Sequence, residues 1–421
     1  MFTLAKNFLF HYTPSLLMKH HLIALLALCL AVPAANAASP NPSKAGMDAL
    51  KLVEIPRRMQ GFVDSNIISG AVTLVARKGQ LAALDVVGYS DLSTKKPLRT
   101  DDLFWIASMT KPMTATAIMM LQDEGKLSVE DPVEKYLPEF KNQWLIDTQS
   151  KDALTLKRPA RPITLRDLLT HTSGIGDVPA PRFNCTLAEL AMAYSQQPLR
   201  FPPGSKWQYS NPGINTLGRI VEVVSGKTYG EFMQERIFNP LGMKDTTFHP
   251  TPAQVKRIAK AYKPGAGGKG LEETTVYFVQ GGISDKTRTA LPAGGLFSTA
   301  EDVLKFYQML LNGGEVNGKR LLSAAALKQA TSTQTGDIKT GFVDGMSFGF
   351  GFAVVKEPQG ITGMLSKGTY GHGGAYATQS WADPEKNLIL ILMLQRAGLP
   401  NGDASEMRKA FQEATVAAVR D

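Results

Sequence analysis

Two polar side chains three residues apart, Ser108 and Lys111, are the first candidates for chemistry, in the stretch Phe104-Trp-Ile-Ala-Ser108-Met-Thr-Lys111-Pro-Met. On a helix that spacing makes them neighbours on one face. A serine hydroxyl becomes a useful nucleophile when a base takes its proton, and a lysine amine is such a base if desolvation keeps it neutral near pH 7. Thr114 to Leu121 (TATAIMML) supply apolar surroundings, and Gly125 is the expected C′ residue that ends the helix. The chemistry indicated is acyl transfer through Ser108. A second Ser-x-x-Lys, Ser93 to Lys96, lies in the polar stretch Asp91-Leu-Ser-Thr-Lys-Lys-Pro97 and reads as a solvated turn.

Acyl transfer also needs a proton route to the leaving group and donors for the developing oxyanion. The only Tyr-x-Asn of the chain, Tyr209-Ser-Asn211, sits on a Gly/Pro-bounded turn just before an expected helix. A tyrosine near a lysine can relay a proton, and an asparagine amide can hold a substrate carbonyl. Further along, Lys367-Gly-Thr-Tyr-Gly-His372-Gly373-Gly374-Ala375-Tyr376 leads into a strand. Its glycines let backbone approach a ligand closely, and the N–H that follows can face an acyl oxygen.

Two rival chemistries fail on the text. Gly345-Met-Ser347-Phe-Gly349 matches the nucleophile-elbow pattern, which requires a helix directly after the serine. Here Phe348-Gly-Phe-Gly-Phe alternates like a strand, and Glu357 is the only acid between Ser347 and His372. Beyond the leader, His171, His249 and His372 are the only histidines and form no close ligand set, so no metal is expected.

The elements that must position these residues begin after a leader. Lys19-His20-His21, an apolar run from Leu22 to Val32, and Ala35-Asn36-Ala37 make residues 1–37 an expected cleaved signal peptide, with Met18 as a possible start. Its removal lowers the formal net charge from +9 to +7 and leaves Cys185 as the one cysteine, so no intramolecular disulfide is expected. The basic residues are dispersed apart from Lys157-Arg158-Pro-Ala-Arg161, which reads as a solvated loop, and no nucleic-acid motif accompanies them. No later segment is apolar enough to suggest a membrane span.

An amphipathic helix is expected over Met47 to Val63, with Leu50, Val53 and Met59 on its apolar side and a possible kink at Pro56. Ala71–Ala76 and Leu81–Val87 read as a β-hairpin turning at Gly79. Capping patterns start helices at Thr164, Thr186, Thr228 and Ser298, and Asn211 to Val224 carries helical periodicity. Strands return at Phe348–Val355, Gln379–Asp383 and Asn387–Leu394, the last a continuous apolar run expected of a doubly covered strand. A final helix covers about Ala404 to Val419. This order predicts a sheet domain from residues 46–107 and 295–421, with a mainly helical domain, 108–294, inserted between them. Pocket walls are expected from loops around 140–162, 176–186 and 263–290.

In combination, Ser108-x-x-Lys111, Tyr209-x-Asn211 and His372-Gly-Gly resemble the serine β-lactamase/penicillin-binding-protein superfamily. The nearest branch is similar to class C β-lactamases, family VIII carboxylesterases and D-aminopeptidase or D-Ala-D-Ala carboxypeptidase relatives. Leu168-Leu-Thr-His171-Thr-Ser-Gly174, Asn239-Pro-Leu-Gly-Met243 and Pro292-Ala-Gly-Gly295 extend the likeness over nearly all the mature chain. The resemblance implies an α/β (α+β) fold, an antiparallel sheet flanked by helices plus the helical insertion. It implies that Ser108 is acylated, that Lys111 accepts its proton, and that Tyr209 relays protons in acylation and deacylation. Asn211 would bind the substrate amide or acyl chain, the N–H groups of Ser108 and Ala375 would form the oxyanion hole, and no cofactor would be needed. The His171 stretch would be a structural turn. Expected substrates are small esters, amides or peptides, peptidoglycan fragments included, at a periplasmic or secreted location. D-peptide hydrolysis, β-lactam hydrolysis and a slowly deacylating penicillin-binding or sensing module are the alternatives. One departure matters: class C relatives carry Lys-Thr-Gly where this chain has His372-Gly373-Gly374. Histidine offers positive charge to a substrate carboxylate only when protonated, and Gly373 lacks a hydroxyl, which moves the expected substrate away from β-lactams and leaves esters, amides and peptides open.

Overall fold

The apolar run near the C-terminus becomes a strand, Leu388–Met393, buried along its whole length. In the computed structural model, which describes residues 39–178, 184–276 and 282–420, it lies inside an eight-stranded sheet. The leader reading for residues 1–37 falls outside the described residues. In chain order the strands are β1 (Gly70–Arg77), β2 (Gln80–Asp91), β3 (Lys96–Pro97), β4 (Met346–Phe348), β5 (Ala353–Val355), β6 (Tyr370–Gly373), β7 (Gln379–Asp383) and β8 (Leu388–Met393). Every neighbouring pair is antiparallel, in the order β4-β5-β6-β7-β8-β1-β2-β3. The N-terminal hairpin therefore zips onto the C-terminal strand, with Val72 opposite Met393 and Leu74 opposite Ile391.

Five helices matter for the site: α1 (Glu54–Asp64), α2 (Thr110–Asp123), α3 (Asn211–Ser225), α4 (Ala300–Leu311) and α5 (Glu406–Ala417). The period of two along a strand divides the sheet's residues between two cores. Val72, Leu74, Ile389, Ile391 and Met393 join Ile118 of α2 and Phe306 of α4. Ala71, Val75, Leu388, Leu390 and Leu392 join Ile55 and Met59 of α1 and Met407 and Phe411 of α5. Both faces of β8 are thus covered, and each large side chain so buried contributes about 1.5–3 kcal/mol.

Three expectations are corrected. The helix over 47–63 breaks at Val53 into Ala49–Leu52 and α1, and Leu50 and Val53 stand 85% and 60% exposed. Leu52, Ile55 and Met59, spaced three and four apart, share the buried side, and Leu50 and Val53 fall off it. Phe348–Val355 is two strands joined by a turn over 349–352, where Gly351 takes φ +72° and a Cβ would lie 2.5 Å from Ala115 Cβ of α2. The α4 cap is Thr299, whose hydroxyl accepts from Asp302 N, because Ser298 is committed to a ladder with Phe104. The segment 108–294 also holds two hairpin ladders, Leu145–Gln149 with Leu154–Lys157 and Ala261–Pro264 with Leu271–Thr274. The capping boxes at Thr164, Thr186 and Thr228 form with both halves present. Among the described residues no helix is long and apolar enough to cross a membrane.

Leu390 lies at 0% exposure in the middle of β8, so Leu390→Ala should cost about 2–5 kcal/mol of folding stability. Urea denaturation of the two proteins measures this, and an unchanged midpoint would contradict the double coverage of β8.

Candidate active site

The ladder Phe104–Trp105 with Phe297–Ser298 delivers the chain to the head of α2, and Ile106 N continues it by donating to Leu296 O at 3.0 Å. Trp105 Nε1 fastens the approach to Gly294 O at 2.7 Å. Ala107 then adopts φ +46°, an uncommon conformation for a residue with a Cβ, and turns Ser108 toward a cleft. Ser108 lies in the 3₁₀ turn Ala107–Met109, so α2 begins at Thr110, two residues later than the spacing alone predicts. Every residue of α2 from Thr110 to Leu121 is buried. The helix ends in a Schellman arrangement: Gly125 N donates to Gln122 O, Lys126 N donates to Leu121 O, and Gly125 takes φ +68°.

One turn into α2, Lys111 has no exposed surface. Its Nζ lies 3.0 Å from Ser108 Oγ, 2.8 Å from Asn211 Oδ1 and 2.6 Å from Ala293 O. Burial pushes the ammonium well below its ordinary 10.5. A neutral amine has two hydrogens and one lone pair. Donation to Asn211 Oδ1 and Ala293 O leaves the lone pair for the Ser108 hydroxyl. The Ala293 carbonyl is itself held, since Ala293 N donates to Asn215 Oδ1 at 3.0 Å, one turn beyond Asn211 on α3. Because Asn211 Oδ1 accepts from Lys111, the Asn211 amide nitrogen is left to donate into the cleft.

Tyr209 lies just before the N-cap of α3, Ser210. Its ring packs 4.5 Å from His171 and 5.0 Å from Phe342, centroid to centroid, with Lys111 Nζ 4.7 Å from its own centroid. The His171 turn is more than a connector: at φ +61° its Nδ1 accepts Ser210 N–H at 3.1 Å, tying the turn to the tyrosine loop. Burial raises the Tyr209 phenol above its usual range, with the Ser108 hydroxyl acting against that rise. The phenol therefore keeps its proton and can donate it.

His372, on β6, completes the set. Its Nδ1 lies 2.6 Å from Gly373 O, and a carbonyl only accepts, so the proton is on Nδ1 and Nε2 presents a lone pair to Tyr209 OH at 3.4 Å. Burial pushes the imidazole down to about 4. It is neutral at pH 7. The glycines are required by space: a Cβ on Gly374 would lie 2.0 Å from Thr378 Oγ1, and one on Gly373 would lie 2.1 Å from Asp403 Oδ1.

A cavity of about 620 Å³ opens over these groups, lined by Ser108, Tyr209, Asn211, His372, Gly373, Gly374 and Ala375, with Lys111 behind Ser108. All eight residues expected at a site are thereby brought together. Ser347 is not among them; it is buried in β4 with Oγ 3.0 Å from Thr335 Oγ1, and a turn rather than a helix follows. Lys96 donates instead to Lys256 O at 2.7 Å on the surface. Trp105, Tyr376, Phe342 and residues 400–403 also line the cavity, and none of the loop 140–162 does. The latter carries the exposed hairpin and a separate groove around Asn142 and Arg158. The walls expected from 176–186 and 263–290 lie partly outside the described residues. Phe342 and the 400–403 loop carry no local motif, and Asn401 Nδ2 joins them by donating to Phe342 O at 2.8 Å. The Ala293 acceptor was signalled only by the Pro-Ala-Gly-Gly stretch that contains it. Among the described residues no group of three or more His, Cys, Asp or Glu could hold a metal ion.

The Beta-lactamase family profile matches residues 55–414. Protein Rv1367c of Mycobacterium tuberculosis is 33% identical over 359 residues, 79% of this chain and 87% of its own. Esterase EstB of Burkholderia gladioli is 28% identical over 402 residues, covering 86% and 95%. The D-alanyl-D-alanine-carboxypeptidase/endopeptidase AmpH of Escherichia coli is 29% identical over 310 residues, covering 71% and 72%. Among solved structures, EstCE1, a hydrolase with promiscuous acyltransferase activity, superposes with a TM-score of 0.72 at 24% identity, over 87% of this chain and 98% of its own. That last likeness speaks for the fold alone.

A buried neutral His372 has a consequence for stability. Its value falls from 6.5 to about 4 on folding, so the native state resists a proton that the unfolded chain binds. The contribution is complete above about pH 6.5 and lost as pH falls through about 4. The melting temperature of the wild type should therefore fall more steeply over that interval than that of His372→Gln. Parallel curves would contradict the neutral, buried imidazole.

Proposed function

We propose that this chain, which belongs to the beta-lactamase family, is an exported serine hydrolase of carboxylic esters or small amides that works through a Ser108 acyl-enzyme. The observation that carries the proposal is the dry Lys111 amine, 3.0 Å from Ser108 Oγ with its two hydrogens directed elsewhere. Ser108 Oγ attacks the substrate carbonyl as its proton passes to Lys111 Nζ, which makes an ammonium in the transition state. The new oxyanion takes hydrogen bonds from the N–H groups of Ser108 and Ala375, and Asn211 holds the acyl side. Collapse breaks the bond to the leaving group, which receives its proton by way of Tyr209. Water then attacks the acyl carbon, gives its proton back along the same route, and releases the acid with Ser108 restored.

Esters are favoured over D-peptides because the neutral His372 offers no charge to a terminal carboxylate. EstB, named an esterase, aligns with this chain over 95% of its own length, which supports the same choice. The kinship with AmpH supports a second reading, hydrolysis of D-Ala-D-Ala peptides, and a D-Ala-D-Ala peptide in the same assay separates the two. The leader pattern before residue 38 supports export to a periplasmic or extracellular location.

With 4-nitrophenyl butyrate, Ser108→Ala and Lys111→Ala should each lose on the order of 10³-fold or more in kcat, while Lys96→Ala keeps its rate. Full activity in Ser108→Ala would overturn the mechanism, and equal losses at Lys96 and Lys111 would contradict the choice of Ser108-x-x-Lys111 over Ser93-x-x-Lys96.

The working form of Lys111 is the neutral amine, so kcat/KM should hold well below pH 10.5 and fall as the pH drops through its depressed value. A rate that rises only as pH approaches 10.5, the ordinary lysine value, would show a hydrated lysine and contradict the role.

A further inference from the structure

The cleft beside Ser108 presents an anion. Among the described lining residues, Asp403 is the one acidic side chain and there is no lysine or arginine. Lys111 lies behind the wall, and His372 is neutral. The counter-ion of Asp403 is Arg408, 3.7 Å away, but the aspartate side chain is 19% exposed and the arginine 1%. The cleft therefore meets the carboxylate, and the protein interior keeps the guanidinium, stacked 4.2 Å from the Trp381 ring centroid. The carboxylate is fixed in place. Gln379 Nε2 donates to Asp403 Oδ1 at 3.1 Å, and Asp403 N donates to Asn401 Oδ1 at 3.0 Å in the loop that also grips Phe342.

Its position is the informative part. A Cβ built on Gly373 would lie 2.1 Å from Asp403 Oδ1 and 2.6 Å from Gln379 Nε2. The space that a side chain at residue 373 would take is filled by an acceptor-only group from a loop thirty residues further along the chain. A hydroxyl-bearing residue there could donate to a substrate carboxylate; Asp403 repels one. Its field reaches the reacting groups, since it acts to raise both the Tyr209 phenol and the His372 imidazole.

We infer that Asp403 sets the substrate class by barring molecules with a carboxylate near the scissile bond and leaving the site to neutral or amine-bearing esters and amides. The inference rests on the Ser108 acyl-transfer reading. Two matched pairs place the charge on either side of the bond: 4-carboxyphenyl butyrate against its methyl ester, and mono-4-nitrophenyl glutarate against 4-nitrophenyl pentanoate. In wild type the anionic member of at least one pair should have a kcat/KM about tenfold or more below its neutral partner, and Asp403→Asn should raise that ratio about tenfold. Added salt should raise the same ratio in wild type, a measurement that needs no variant to fold. Equal ratios in wild type and Asp403→Asn, with no salt dependence, would overturn the inference. Failure of the Ser108 mechanism gives a different result, hydrolysis of the neutral members that survives Ser108→Ala.

Discussion

Lys111 has no exposed surface and three polar neighbours, and the arrangement of the cleft follows from keeping that one amine dry. A fully buried ammonium is costly, so the group gives up its proton and becomes a base. Each surrounding element contributes to this. The α2 helix is buried on all sides from Thr110 to Leu121, Asn211 arrives from the head of α3, and Ala293 arrives from the segment before Phe297–Ser298. Removal of either acceptor would leave a polar hydrogen buried without a partner, which costs about 1–3 kcal/mol. The same three contacts fix the side chain's rotamer and aim its lone pair at Ser108.

The second layer is aromatic. Tyr209, Trp207 and Phe348 gather around His171, with Phe342 packed on Trp207 and Tyr209, and the His171 ring nitrogen secures the backbone that carries Tyr209. These rings exclude water from the amine and hold the phenol between Ser108 and His372. The sheet supplies the last wall. His372 lies next to the end of β6, and the glycines after it allow Ile106 O and Asp403 to close in where side chains would otherwise stand.

Much of this was legible in the text because it is local. Ser108 and Lys111 are linked by helical spacing, Tyr209 and Asn211 by a turn into a helix, and the doubly covered β8 by an unbroken apolar run. What the text concealed depends on contacts between distant segments. The Pro292-Ala-Gly-Gly295 stretch stands out in the sequence, but its pairing with Lys111 through the Ala293 carbonyl depends on a contact 182 residues away. The vacancy at Gly373 can be read from the sequence, but its filling by Asp403 depends on a loop thirty residues later folding back over β6. Helix phase misled for a related reason. Leu50 and Val53 are apolar, but the core selected the side of the helix that holds Leu52, Ile55 and Met59. The run Phe348–Val355 looked continuous because its glycines resemble a strand in text, while the packing against Ala115 of α2 makes them a turn.

In this mechanism Ser108 Oγ is the atom acylated. The most direct measurement is acid quench of the wild-type protein within its first turnovers on 4-nitrophenyl butyrate, followed by peptide mapping of the covalent adduct. A butyryl group should be found on Ser108 and be absent from Ser108→Ala. An adduct on Ser347, or on any other residue, would contradict it.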